Sequence, residues 1–261
     1  MAEAYILAGA YDNAAHAIGA AARYKGTSLA DKASTLKQLR RLLKRLGQPN
    51  DILKPLQPKA VLHYTGHMIA PHGKHGRITA DNEAKLQMRV AAAIDEINPG
   101  AAFGALASGA DLHVVLPFAQ GDFIDVSVLP ADEGGHSPAT WEMRFHKCLK
   151  AASSVTYLTD QPYLGADILF GLGAKLAMGR ALLHARHVAG SATQLAIWDQ
   201  KPTDFPAGTA VDIGEWEALG QAQHIVDVAD LGRTAPSAKK MQPRSLCPLR
   251  PPKTTALTQI C

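Results

Sequence analysis

A chain of 261 residues with 47% apolar content can bury a sizeable core, as one large domain or one domain with attachments. Its net charge of +4 hides a split: residues 1–57 carry 9 basic and 4 acidic groups, 58–229 carry 12 and 18, and 230–261 carry 6 and 1. An acidic middle between basic flanks argues against a nucleic-acid groove there, and three cysteines (Cys148, Cys247, Cys261) without metal-ligand spacing argue against a disulfide framework and for a reducing cytoplasm.

The first 22 residues are alanine-rich, but Glu3, Asp12 and His16 interrupt them and no basic region precedes them. They do not read as a signal peptide. The pattern predicts helices over 4–11, 14–24 and 28–46. In the last of these Leu29, Leu36, Leu39, Leu42, Leu43 and Leu46 recur at helical spacing among lysines and arginines. The small-residue helix pair is similar to the last unit of a tetratricopeptide-type array, and such a unit needs stacked neighbours or a core to dock on. An ordinary helical cap is the plainer alternative. Residues 47–59 hold Pro49, Pro55 and Pro58 and read as a linker.

An α/β segment follows over 58–229. Strands are expected over 60–64, 101–107, 112–116, 155–158, 194–198 and 224–228. Helices are expected after Asp81, with Leu86, Val90, Ala93, Ile94 and Ile97 on one face, and over 141–151, with Trp141, Phe145 and Leu149 on one stripe. Further helices fall at 164–187 and 211–219. Alternating strands and helices imply a Rossmann-like, mostly parallel sheet with flanking helices. The stretch 164–187 is the longest apolar run, but Asp167, Lys175, Arg180 and Arg186 punctuate it, so it reads as a soluble helix and not a membrane span. Residues 230–261 hold five prolines, six basic residues and no apolar period, the composition of a disordered basic tail.

In an open α/β sheet ligands bind beyond the carboxyl ends of the strands. Three strands run there into short or polar residues: Thr65-Gly66-His67, Leu116-Pro117-Phe118 and Thr159-Asp160. Glycine at 66 lets a ligand approach the backbone, the Thr65 hydroxyl can bond a phosphate oxygen, and nearby amides can form an anion nest. A plain turn that needs glycine for its geometry is the alternative. Ser108-Gly109-Ala110-Asp111 offers a hydroxyl, amides and a carboxylate for phosphate or ribose, or is a simple turn. Tyr163 could stack on a base, and Asp160 could accept from a ribose hydroxyl or cap the following helix. His63, His67, His72 and His75 crowd one region at intervals that can bind zinc or nickel. A polar loop in which His67, Lys74 and Arg77 face an anionic ligand is the stronger reading, and no metal is assigned. Gly171 and Gly173 lack the spacing and preceding strand of a dinucleotide fingerprint and suit close helix packing.

Four stretches in order, Val61-Leu62-His63-Tyr64-Thr65-Gly66-His67, Ala107-Ser108-Gly109-Ala110-Asp111, Leu112-His113-Val114-Val115-Leu116-Pro117-Phe118 and Asp160-Gln161-Pro162-Tyr163-Leu164-Gly165, together resemble a SLOG-type Rossmann-like domain. The likeness is greater still to the version found in bacterial signalling proteins behind a TRAFs-binding, tetratricopeptide-like region. The resemblance implies a module that senses a nucleotide-derived ligand, with no other cofactor. It also implies protein partners through the N-terminal helices and a nucleotide cyclase effector domain nearby. Weighed residue by residue, the expected ligand site comprises Thr65, Gly66, His67, Ser108, Gly109, Asp111, Pro117, Asp160 and Tyr163. The Pro-Gly-Gly-x-Gly-Thr signature of the phosphoribohydrolase branch is absent: Glu133-Gly134-Gly135-His136 lacks the following Gly-Thr.

The chain departs from the pattern in two places. Asp111 abuts Leu112, where the pattern has a helix, although parallel neighbours need a crossover of about a dozen residues. Strand 2 is then displaced, or the pair forms a hairpin, or the domain has lost part of its fold. The proline-rich end stands where relatives continue, and both departures fit a truncated or decayed gene product. Two further functions stay open: a nucleotide or nucleoside hydrolase with Asp122, Glu133 or Asp160 as general base, and a protein-interaction scaffold with a vestigial site.

Overall fold

The structure, a computed structural model, describes residues 1–68, 78, 82–105, 111–129, 138–203, 205–229 and 231. Three helices, α1 (Ala2–Leu7), α2 (Tyr11–Arg23) and α3 (Leu29–Arg45), precede a 3-10 turn at Asp51–Leu56 inside the expected linker. Ser28 starts α3 through a capping box: its side chain accepts from the Asp31 amide while Asp31 accepts from the Ser28 amide. Ile6, Ile18, Leu36, Leu39, Leu43 and Leu53 form a small core that also takes in Ala189. Leu29 and Leu46, at the ends of the leucine stripe, are exposed. Arg40 Nη1 donates to the Ala189 carbonyl at 2.9 Å, so the segment docks on the α/β core at the amino edge of its sheet.

That sheet has six strands, all parallel: β1 (Val61–Gly66), β2 (Ala101–Gly104), β3 (Asp111–Leu116), β4 (Ser154–Tyr157), β5 (Ala192–Trp198) and β6 (Ala222–Asp227). They lie in the order β4-β3-β2-β1-β5-β6. The chain steps outward from β1 to β4 and then crosses to the other side of β1 for β5. The switch point therefore lies between β1 and β5.

Residue alternation assigns the two faces. Leu62, Ala102 and Leu195 meet Leu86, Ala93 and Ile94 of α4 (Glu83–Ile97) on one face. On that same face Leu112, Val114 and Leu116 meet α5 (Gln120–Phe123), the π-helical turn Ile124–Val128 and α6 (Pro138–Ala151). On the opposite face Val61, Ala101 and Phe103 pack on α7 (Ile168–His187), and α8 (Thr209–Ala218) adds Trp216. By length and composition α7 could cross a membrane, but here its buried Gly171, Gly173, Ala177, Ala181 and Ala185 face the domain interior. A Cβ on Gly173 would sit 3.4 Å from Pro117, which accounts for that glycine by close packing.

The connection from β2 to β3 corrects the sequence expectation. The two strands are adjacent and parallel, with Ala101 opposite Asp111 and Gly104 opposite Val114, so β2 is neither displaced nor part of a hairpin. Returning from Gly104 to Asp111 covers about 11 Å, three residue rises and one strand spacing. Seven Cα steps reach roughly 23 Å, ample without a helix. The dozen-residue crossover is what a helix needs, not what parallel pairing needs. Residues 106–110 of this link, including Ser108 and Gly109, lie outside the described residues.

Candidate functional site

At the switch point β1 and β5 end side by side, with His67 N–H donating to the Ile197 carbonyl at 3.1 Å. Thr65 and His67 alternate with Gly66 and share one face, ~7 Å apart along the strand. Each meets a buried carboxylate. Thr65 Oγ1 donates to Asp212 Oδ2 at 2.6 Å, and His67 Nε2 lies 3.1 Å from Asp199 Oδ1. Asp199 follows β5 directly, and Asp212 stands in the first turn of α8. Gly208 introduces that helix with φ 119°, a backbone that only glycine adopts readily.

Both carboxylates are buried, and they have different company. Asp199 accepts from the Lys201 amide at 3.3 Å as well as facing His67. Burial pushes the Asp212 carboxyl up to about 6, with Glu215 adding to the rise and the Thr65 bond and Lys175 opposing it. Beneath it runs a buried polar chain. Gln194 Nε2 contacts His63 Nδ1 at 3.1 Å and the Asp212 carbonyl at 3.3 Å, and Gln223 Nε2 donates to Gln194 Oε1 at 3.0 Å. His63 stacks on Trp216 with ring centroids 5.2 Å apart, and burial lowers its pKa to about 3. Its imidazole is therefore neutral and fixes Gln194, which in turn supports the first turn of α8.

Of these groups His63, Thr65, His67 and Asp212 line a cavity of about 620 Å³ with mostly apolar walls, a size and character usual for small-molecule sites. Thr65, Gly66, His67 and Pro117 line it. Gly66 is explained by neighbour contact, because a Cβ there would lie 3.0 Å from Ile197. The Thr65 proton is directed to Asp212 and the His67 amide to Ile197, so among the described residues this corner presents hydrogen-bond acceptors. Its chemistry suits ligand hydroxyls or amines better than phosphate.

Other expected residues lie elsewhere. Asp111 stands at the amino end of β3, at the opposite edge of the sheet from Thr65. Asp160 is exposed and accepts from Gln161 Nε2 at 3.0 Å. Tyr163 stacks on Phe118 at 4.6 Å, bonds Asp167 through its hydroxyl at 2.5 Å and donates its amide to Asp122 at 2.6 Å. Those bonds tie Tyr163 to Asp122 and to Asp167, and of these three only Asp167 lines the cavity. Glu133, His72, His75, Lys74 and Arg77 lie outside the described residues. Among the described residues no three His, Cys, Asp or Glu side chains come together as a metal-holding group.

Asp199 and Asp212 escaped the sequence reading. Asp199 could have been found, since it follows a strand as Asp160 does. Asp212 gave no signal, because a carboxylate in the first turn of a helix is an ordinary dipole partner. Compared with family models, curated proteins and solved structures, the chain matches none.

Proposed function

We propose that the chain is a regulatory module that senses a small nucleotide-derived ligand in the crevice at the carboxyl ends of β1 and β5. The observation that carries this reading is the pairing of Thr65 with Asp212 and of His67 with Asp199 beside one cavity at the switch point. Two buried acceptors there favour the ribose or the amino edge of a base, with the phosphate directed outward. The resemblance of Val61–His67 and the later stretches to SLOG-type domains supports the nucleotide class. It also supports a cytoplasmic signalling role, with α1 to α3 contacting protein partners and a nucleotide cyclase as the effector.

The test is thermal unfolding of the full chain against nucleosides, nucleotides, dinucleotides and cyclic nucleotides. A ligand at about 100 times its dissociation constant adds ~2.7 kcal/mol to stability. The expected result is a raised midpoint for one ligand class that is lost in Asp199→Asn and Thr65→Ala. No shift across the panel sinks the reading.

One observation favours a second function, a nucleotide or nucleoside hydrolase. The pKa of Asp212, at about 6 in a crevice, is where a general base works. Release of free base or phosphate that disappears in Asp212→Asn would select that reading.

A further inference from the structure

On the face of the sheet carrying α4 and α6, the described residues include no β2–β3 crossover helix. Successive right-handed crossovers that step in one direction place their helices on one face. The β1–β2 and β3–β4 crossovers do so with α4 and α6, while β2 reaches β3 through residues 105–110. Among the described residues, nothing fills the place of a β2–β3 crossover helix, and a gap lies there between α4 and α6. Its sides are Leu86, Val90 and Ile94 from α4 and Trp141, Phe145 and Cys148 from α6, all of which line the cavity.

Its floor is β2 with Tyr64. The Tyr64 ring lies across Gly104, where a Cβ would come within 2.4 Å of it. The Tyr64 hydroxyl is buried with no partner among the described residues. At the rim Arg144 Nη1 bonds Glu83 Oε1 at 2.6 Å and sits 4.6 Å over the Trp141 ring, tying α6 to the start of α4. Water in such a gap finds few partners on aliphatic and aromatic walls. The gap is continuous with the polar corner at Thr65 and Asp212, since one cavity takes in both.

We propose that the gap between α4 and α6 is an apolar subsite, taking the aromatic or acyl portion of an amphipathic small molecule whose polar end reaches Thr65 and Asp212. The proposal rests on the preceding functional reading only for that polar end. The apolar subsite stands on the spacing of α4 and α6 among the described residues, the wall chemistry and the continuity of the cavity.

The probe is N-phenyl-1-naphthylamine, a neutral compound that fluoresces in apolar surroundings, titrated into the full chain under native conditions. Val90→Trp fills the gap from α4, and cooperative unfolding checks that this variant folds. The expected result is saturable binding to the native chain that weakens at least about tenfold in Val90→Trp. On the native chain alone, iodoacetamide labelling at pH 9 over a time course, located by peptide mass, is read at Cys148, which lines the cavity and whose thiol pKa is raised by burial. Bound probe is expected to slow the labelling of Cys148. This second measurement decides the matter if Val90→Trp does not fold. Absence of binding, equal binding to a folded Val90→Trp, or labelling of Cys148 unchanged by bound probe overturns the proposal. A nucleotide that raises the unfolding midpoint while the probe fails to bind keeps the functional reading and removes the subsite. Probe binding with no response to any nucleotide does the reverse.

Discussion

Substituting Asp212 by asparagine tests the electrostatics of the candidate site through stability alone. The carboxyl titrates at about 6 in the fold against 3.8 in an unconstrained chain. A raised folded value means that the fold prefers the neutral acid. Below pH 3.8 both states are protonated and nothing is lost; as pH rises to about 6 and beyond, the folded state carries a buried charge. Roughly two units correspond to ~3 kcal/mol at most. Asparagine keeps the shape and can still accept from Thr65, through a weaker neutral bond. Asp212→Asn should therefore be more stable than the native chain by about 2 kcal/mol at pH 7.5, several degrees in midpoint, and indistinguishable from it near pH 3.5. His63 works in the opposite direction. Its pKa, lowered to about 3, supplies stability that is present above 6.5 and is lost as pH falls. Between about pH 4 and 6 each group contributes a slope of ~1.4 kcal/mol per pH unit, of opposite sign. The two offset each other in the native chain, and removing Asp212 exposes the acid lability due to His63. Calorimetry of both proteins from pH 3.5 to 8 reads this as a difference curve that opens upward through pH 4–6. Parallel profiles, or an asparagine variant weaker at pH 7.5, would refute the account. Loss of ligand binding alongside the gain in stability would mark Asp212 as a residue held charged for function at the expense of the fold.

Three other substitutions probe the packing. Tyr64→Phe deletes a buried hydroxyl with no partner among the described residues; the midpoint in urea should stay level or rise by up to ~1 kcal/mol, and a clear loss would mean the hydroxyl is bonded after all. Gly104→Ala forces a Cβ against the Tyr64 ring and should cost about 1–3 kcal/mol, largely recovered when Tyr64→Leu is added. Leu39→Ala opens a hole in the fully buried N-terminal core and should cost about 3 kcal/mol. Because α3 is bonded to the chain after α7 through Arg40, that loss should lower one common transition. A separate, earlier transition would show that the helices melt on their own.

The layered parallel sheet was legible because its strands are short apolar runs bounded by turns, and its helices carry apolar stripes such as Leu86, Ala93 and Ile94. Strand order was not legible, since it depends on which strands cross over, and that information lies in tertiary contacts between α7 and the sheet. The rule that ligands meet strand ends picked out Thr65, Gly66, His67 and Pro117, which line one cavity. The same rule pointed at Asp160, which ends up bonded to its neighbour Gln161 on the surface. The rule gives the edge of the sheet but not the position along it, and only the switch between β1 and β5 separates the two cases. Hence the partners of His67 and Thr65 come from distant sequence: Asp199 and Asp212 are 132 and 147 residues from the side chains they bond. They become neighbours only once β5 is inserted beside β1. The short link between β2 and β3 carries the same lesson. Read along the chain, the missing helix looks like damage; across the sheet, the strand pairing is intact without it.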